Sequence, residues 1–115
     1  MNNISTIIIT KNCEGLVKNA IKSAKAISSE ILVIDDYSVD RTAVVAKKLG
    51  ARVILQAENN LGKRKNFGIK QAKNEWILSL DADERLSQSL IKEINTIFKK
   101  KVLFDAFLVP YQNHL

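Results

Sequence analysis

The amino-acid sequence predicts an α/β fold built on a mostly parallel, doubly wound sheet. Short β-branched apolar runs alternate with amphipathic helical segments from one end to the other. The runs are apolar at consecutive positions, as expected of strands covered on both faces. The conspicuous polar residues follow the carboxyl ends of those runs, where open α/β sheets bind ligands.

The elements follow in order. "STIIIT" (5–10) is the first strand. Leu16, Val17, Ala20, Ile21, Ala24 and Ile27 then recur at helical spacing and predict an amphipathic helix. "EILVID" (30–35) is the second strand. Ser38 and Asp40 offer caps for a helix with Val44, Val45 and Leu49 on its apolar side and Gly50 as its stop. "RVILQ" (52–56) is the third strand, and "NNLGKRKNFGIKQAK" a loop followed by a basic helix. "EWILSL" is the fourth strand. Ser87 caps a last helix whose inward face is Leu90, Ile91, Ile94, Ile97 and Phe98, and "LFDAFLVP" (103–110) is a fifth strand.

The 115 residues, 46 % of them hydrophobic, suit one domain spanning 1–115 with a packed core. No apolar run approaches the roughly 20 residues of a membrane-spanning helix, and the start lacks the basic region of a secretory signal. Cys13 is the sole cysteine, which excludes an internal disulfide and points to a reducing cytoplasm. The one histidine, His114, is too near the end of the chain to be assigned as its catalytic partner. The net charge of +6 concentrates at Lys63, Arg64, Lys65, Lys70 and Lys73, and at Lys99, Lys100 and Lys101. Such clusters fit a polyanionic ligand, a nucleic acid, an anionic membrane surface, or plainly solvated helix faces.

At the strand ends stand Thr10-Lys11-Asn12, Asp35-Asp36 and Asp81-Ala82-Asp83-Glu84, with Gly62-Lys63-Arg64-Lys65-Asn66 after the third strand. Two nearby carboxylates repel unless one is protonated or a cation lies between them. In an extended chain Asp81 and Asp83 point to the same side, which suits Mg²⁺ or Mn²⁺ shared with phosphate and water. Asp83 or Glu84 serves equally well as a cap for the following helix. Asp35 and Asp36 can accept bonds from a base or from ribose hydroxyls, or can shape a turn. Basic residues at a helix start oppose its dipole, a conflict that a bound anion relieves. The Walker and dinucleotide-binding glycine motifs are absent. The combination therefore suggests a metal-bridged nucleotide diphosphate.

Taken together, "STIIITKNCEGLVKNAIKSA", "EILVIDDYSVDRTAVVAKKLGARV" and "GKRKNFGIKQAKNEWILSLDADERLS" resemble the donor-binding half of a family 2 glycosyltransferase. The last of these is similar to the branch containing the glucosyltransferases of lipopolysaccharide inner-core synthesis, as is "FDAFLVPYQNHL" more weakly. The resemblance implies a partial GT-A fold, Rossmann-like, with three α/β/α layers. It places Thr10, Asn12 and Glu14 beside the nucleoside, Asp35 and Asp36 on the uracil or its ribose, and Lys65 and Asn66 near the base and diphosphate. Asp81 and Asp83 match the family's Asp-x-Asp, holding Mg²⁺ or Mn²⁺ and the donor, with Asp83 the direct metal ligand. The implied donor is a UDP-sugar and the implied acceptor a saccharide or lipid-linked saccharide of the cell envelope, with inversion at the sugar. Location in the cytoplasm, peripheral association with the inner face of the membrane, and self-association through an exposed apolar edge are further expectations. Cys13 and Tyr37 depart from the branch pattern. The family's catalytic base falls beyond residue 115, so donor binding without turnover is expected of this stretch.

Two other classes compete. "LVIDDYS", with Asp81 45 positions after Asp36, resembles a phosphoacceptor receiver domain, but a full strand and helix precede its acidic pair. A non-catalytic binding module is the second, including a nucleic-acid binder that uses the basic helix. Phe67 and Trp76, the aromatics near that helix, read better as core, and no nucleic-acid partner is expected.

Overall fold

The computed structural model describes residues 2–99. The expected fifth strand at 103–110 and His114 lie outside them. The elements are β1 (Ile4–Thr10), α1 (Glu14–Lys25), β2 (Glu30–Asp35), α2 (Thr42–Lys48), β3 (Arg52–Leu55), α3 (Leu61–Gln71), β4 (Trp76–Asp81) and α4 (Gln88–Lys99). The four strands form one sheet in the order β3-β2-β1-β4, and every neighbouring pair is parallel. The strand order reverses between β1 and β4, so the topological switch point lies there.

Burial on both faces of the sheet explains the unbroken apolar runs. Ile4 and Ile8 of β1, Ile31 and Val33 of β2, and Leu78 and Leu80 of β4 pack with Val17, Ala20, Ile21 and Ala24 of α1, Ala46 of α2 and Ile94 of α4. The intervening residues Ile7, Leu32 and Ile34 turn to the other face, with Ile9, Ile54, Ile77 and Phe67 of α3 around them. This is the expected α/β/α arrangement. Helix α3 comes close to the sheet because Gly68 faces it: a Cβ there would lie 2.7 Å from Ile7 Cγ2.

Several expectations are met in detail. Gly50 ends the α2 segment at φ 93° and donates its N–H to Lys47 O. The Ser87 hydroxyl accepts from Leu90 N–H at 3.1 Å at the start of α4. Others are corrected. Ser38 and Asp40 do not cap α2, whose N-cap is Arg41 without a side-chain bond. Ser38 turns back to Asp35, and Asp40 accepts from Thr42 N–H at 2.9 Å in a local turn. Leu16 and Val44, assigned to inward faces, are 51 % and 43 % exposed. Their chain neighbours Val17 and Val45 face the core instead. The topology also removes the receiver reading. In that fold the strand ending in the phosphoacceptor aspartate lies beside the strand that ends in the acidic pair. Here β1 separates β4 from β2.

Candidate functional site

Register fixes which residues share the carboxyl edge. Thr10 pairs with Asp35, Ile9 with Asp81, and Asp35 with Leu55, so the polar ends of β1, β2 and β4 come level along one rim.

The β1–β2 corner is laced together internally. Asp35 is fully buried, and its Oδ1 accepts from the hydroxyls of Thr10 and Ser38, each at 2.6 Å. Its Oδ2 accepts from Ser38 N–H at 2.9 Å. The two loops beyond the strands then bond to each other. Asn12 N–H donates to Ser38 Oγ and Val39 N–H to Asn12 Oδ1, both at 2.8 Å. Cys13 N–H donates to Thr42 Oγ1 at 2.9 Å, Glu14 N–H to Asp40 Oδ2 at 3.1 Å, and Arg41 N–H to Glu14 Oε1 at 3.1 Å. Asn12 and Tyr37 hold positive φ values of 48° and 45°; the asparagine tolerates this, and the tyrosine is strained by it. Of the residues expected around the nucleoside, Thr10, Asn12, Glu14 and Asp35 thus have side-chain oxygens engaged in shaping the rim. Asp36 takes no part in this lacing: its side chain is 13 % exposed, and its Oδ2 accepts from the exposed Lys11 ammonium at 3.3 Å. The thiol of Cys13 is pushed up by burial, which opposes the thiolate a nucleophile needs.

The β4 corner is more open. Strand β4 ends at Asp81, and the chain does not stay extended through Asp83, contrary to the same-side alternation expected for Asp81 and Asp83. It folds into a turn closed reciprocally: Glu84 N–H donates to Asp81 O at 2.9 Å, and Asp81 N–H donates to Glu84 Oε1 at 2.8 Å. Ala82 packs toward the core, and Asp83 is exposed. Burial pushes the Glu84 acid up, reinforced by the Asp81 and Asp83 carboxylates and opposed by its bond from Asp81 N–H and by Lys65. Its second oxygen, Oε2, is buried without a hydrogen-bond partner. The turn, Glu84 and Lys65 therefore share one electrostatic neighbourhood.

Helix α3 starts at Leu61, two residues before the basic run. Asn60 caps it by accepting Lys63 N–H at 2.9 Å, a role the sequence reading did not give it. Lys63 and Asn66 are exposed and Lys65 half-buried. Arg64 behaves differently from its neighbours. It is 8 % exposed, and its Nη2 donates to Thr10 O at 3.1 Å and Ile34 O at 3.0 Å. It lines the floor beneath the rim, not the anion-facing helix surface to which the sequence assigned it. The signal that separates it is its spacing of three and four residues from the inward-facing Phe67 and Gly68.

Among the described residues no three His, Cys, Asp or Glu side chains are grouped to hold an ion by themselves. That donor set still fits Mg²⁺ or Mn²⁺, which bind through one or two carboxylates together with phosphate and water. Oε2 of Glu84, buried and without a hydrogen-bond partner, lies beside the turn, with Lys65 acting on the same carboxyl.

Comparisons with known proteins agree on the fold. The model of glycosyl transferase family 2 matches residues 5–110. An uncharacterised glycosyltransferase of Rickettsia typhi is 46 % identical over 98 residues, covering 85 % of this chain and 34 % of the relative. Another from Mycoplasma genitalium is 32 % identical, covering 94 % of this chain and 41 % of the relative. The chain thus spans between a third and a half of these relatives' length. Among solved structures, S. aureus TarS (1–349) superposes with a TM-score of 0.71 at 26 % identity, over 85 % of this chain and 32 % of that one. Glucosyl-3-phosphoglycerate synthase of Mycobacterium tuberculosis superposes with a TM-score of 0.63 at 19 % identity, over 73 % and 36 %, and shows likeness of fold. Its structures contain UDP with Mn²⁺ or with Mg²⁺.

Proposed function

Because the chain belongs to glycosyl transferase family 2, we propose that residues 1–115 form the donor-binding part of a nucleotide-sugar-dependent glycosyltransferase. The donor is a UDP-sugar lying along the carboxyl edge, its nucleoside toward Asp36 and the laced loops, its diphosphate toward Lys65 and the Asp81–Glu84 turn. The observation that carries this reading is the register. It brings Asp36, which follows β2, and the acidic turn after β4 to one rim on either side of β1, with α3 tied to the ends of β1 and β2 through Arg64 and Lys65 acting on Glu84 of that turn.

In this site Asp83 and Asp81 would hold Mg²⁺ or Mn²⁺, which would supply positive charge to neutralise a diphosphate. Lys65 adds fixed positive charge where negative charge develops. Thr10, Asn12, Glu14 and Asp35 support the nucleoside by holding the loops in shape, and Asn66 stands exposed next to Lys65. The acceptor is a saccharide or lipid-linked saccharide of the cell envelope. Transfer inverts the sugar and takes place at the cytoplasmic face of the membrane. No residue described here is assigned as the base that activates the acceptor, and the whole enzyme's turnover is assigned to a longer protein. Attachment to that face is peripheral in this proposal; among the described residues no helix is long and apolar enough to cross a membrane.

Calorimetric titration of UDP, with and without Mn²⁺, tests the reading. Binding should strengthen with Mn²⁺ in the wild type and lose that dependence in Asp83→Ala. Absence of binding, or binding indifferent to both metal and mutation, contradicts it.

A further inference from the structure

The guanidinium of Arg64 is nine-tenths buried and has no acidic partner among the described residues. Its Nη2 reaches two backbone carbonyls, while Nε is buried with no hydrogen-bond partner at all. The Lys11–Asp36 and Arg52–Glu30 ion pairs do not involve it. Carbonyl dipoles compensate a buried cation only in part, and an uncompensated one is costly to fold around. Its position suggests what completes the compensation. Thr10 O, which accepts from Arg64, also accepts from Asp36 N–H at 3.0 Å, so the charge lies one carbonyl beneath the rim at the joint of β1 and β2. The next residue, Lys65, acts electrostatically on Glu84 of the β4 turn.

We propose that Arg64 is a buried counter-charge for a phosphate-bearing ligand seated on the carboxyl edge, acting through space from the floor of the site. The proposal rests on the donor-site reading above and adds a residue that reading did not require. A buried charge is poorly screened by solvent, and at an effective dielectric near 20 a unit charge within about 10 Å changes binding of a unit anion about tenfold. A purely structural staple predicts something else: loss of stability on removal, with no special effect on anions.

The two roles separate in titrations of UDP and of inorganic pyrophosphate, in Mn²⁺, against the wild type, Arg64→Met and Arg64→Lys, alongside ligand-free melting curves. The expected result is about tenfold weaker binding of both ligands by Arg64→Met. Arg64→Lys should recover most of the loss, and the ligand-free melting temperature of Arg64→Met should stay within about 3 °C of wild type. If the wild type binds and Arg64→Met binds equally well, the counter-charge role is overturned and the donor site stands. If Met and Lys weaken binding equally, or if Arg64→Met fails to fold, Arg64 is a staple and the proposal is overturned. If the wild type binds neither ligand, the donor-site reading fails, and the counter-charge role falls with it.

Discussion

At the β1–β2 corner, Asp35 is fully buried with its carboxylate holding Thr10 and Ser38, and the loops beyond it are tied to each other. At the β4 corner, Asp83 is exposed and one oxygen of Glu84 is buried without a partner. Both corners are acidic in sequence, yet they use acid for opposite purposes. The first converts carboxylate charge into hydrogen bonds that set loop shape, and so contributes to stability. The second leaves Asp83 exposed and one Glu84 oxygen without a hydrogen-bond partner, and in the proposed function that charge serves binding. Side chains at the first corner should register in unfolding experiments, and those at the second in titrations.

The largest effect belongs to Asp35. Replacing it with alanine leaves the Thr10 and Ser38 donors without their buried acceptor and should cost about 3 kcal/mol of stability, read from urea unfolding midpoints. A loss below about 1 kcal/mol would remove the structural half of the comparison. Gly68→Ala comes next. Its Cβ would meet Ile7 Cγ2 at 2.7 Å and push α3 off the sheet, for a cost of about 2 kcal/mol. Because α3 carries Lys65, weaker UDP binding should accompany that loss. Asp83→Ala should leave stability within about 0.5 kcal/mol of wild type while reducing Mn²⁺-dependent UDP affinity by at least about tenfold. A large stability loss there would place Asp83 with Asp35 as a structural acid.

The smallest effect lies at the opposite end of the sheet and serves as a control. Burial pushes the Glu30 acid up, but bonds from Lys73 N–H, the Ser5 hydroxyl and the Arg52 guanidinium outweigh it and hold the acid below its usual range. A carboxyl depressed on folding contributes stability above its unfolded pKa and loses it as pH falls through the folded value. Acid unfolding of Glu30→Gln should therefore be less steep below the ordinary glutamate range, with UDP binding at neutral pH unchanged.

Much of the fold was legible because local patterns decide it. The apolar runs located β1 to β4 to within a residue or so, and Gly50 and Ser87 marked helix ends through local chemistry. What was not legible depended on partners distant in the chain. Asp35 looks like a ligand-facing acid until Thr10, 25 positions away, claims it. Arg64 looks like part of a solvated basic run until the β1 and β2 carbonyls, 54 and 30 positions away, are brought to it. Leu16–Val17 and Val44–Val45 are adjacent apolar pairs, and helical spacing alone cannot choose which member turns inward. Asp81 and Asp83 were legible as a pair, but not the turn that carries them, because that turn depends on the bond from Asp81 N–H back to Glu84.

The division between the two corners is tested most directly by locating the metal. Amide resonances of the isotopically labelled chain should be followed while trace Mn²⁺ is added to its UDP complex, since the paramagnetic ion broadens signals near it. Broadening centred on Asp81–Glu84 and extending to Lys65, with Glu30, Gly50 and Lys73 at the far end of the sheet unaffected, is the predicted result. Broadening centred on the loop 35–40, at the far end, or nowhere would contradict it.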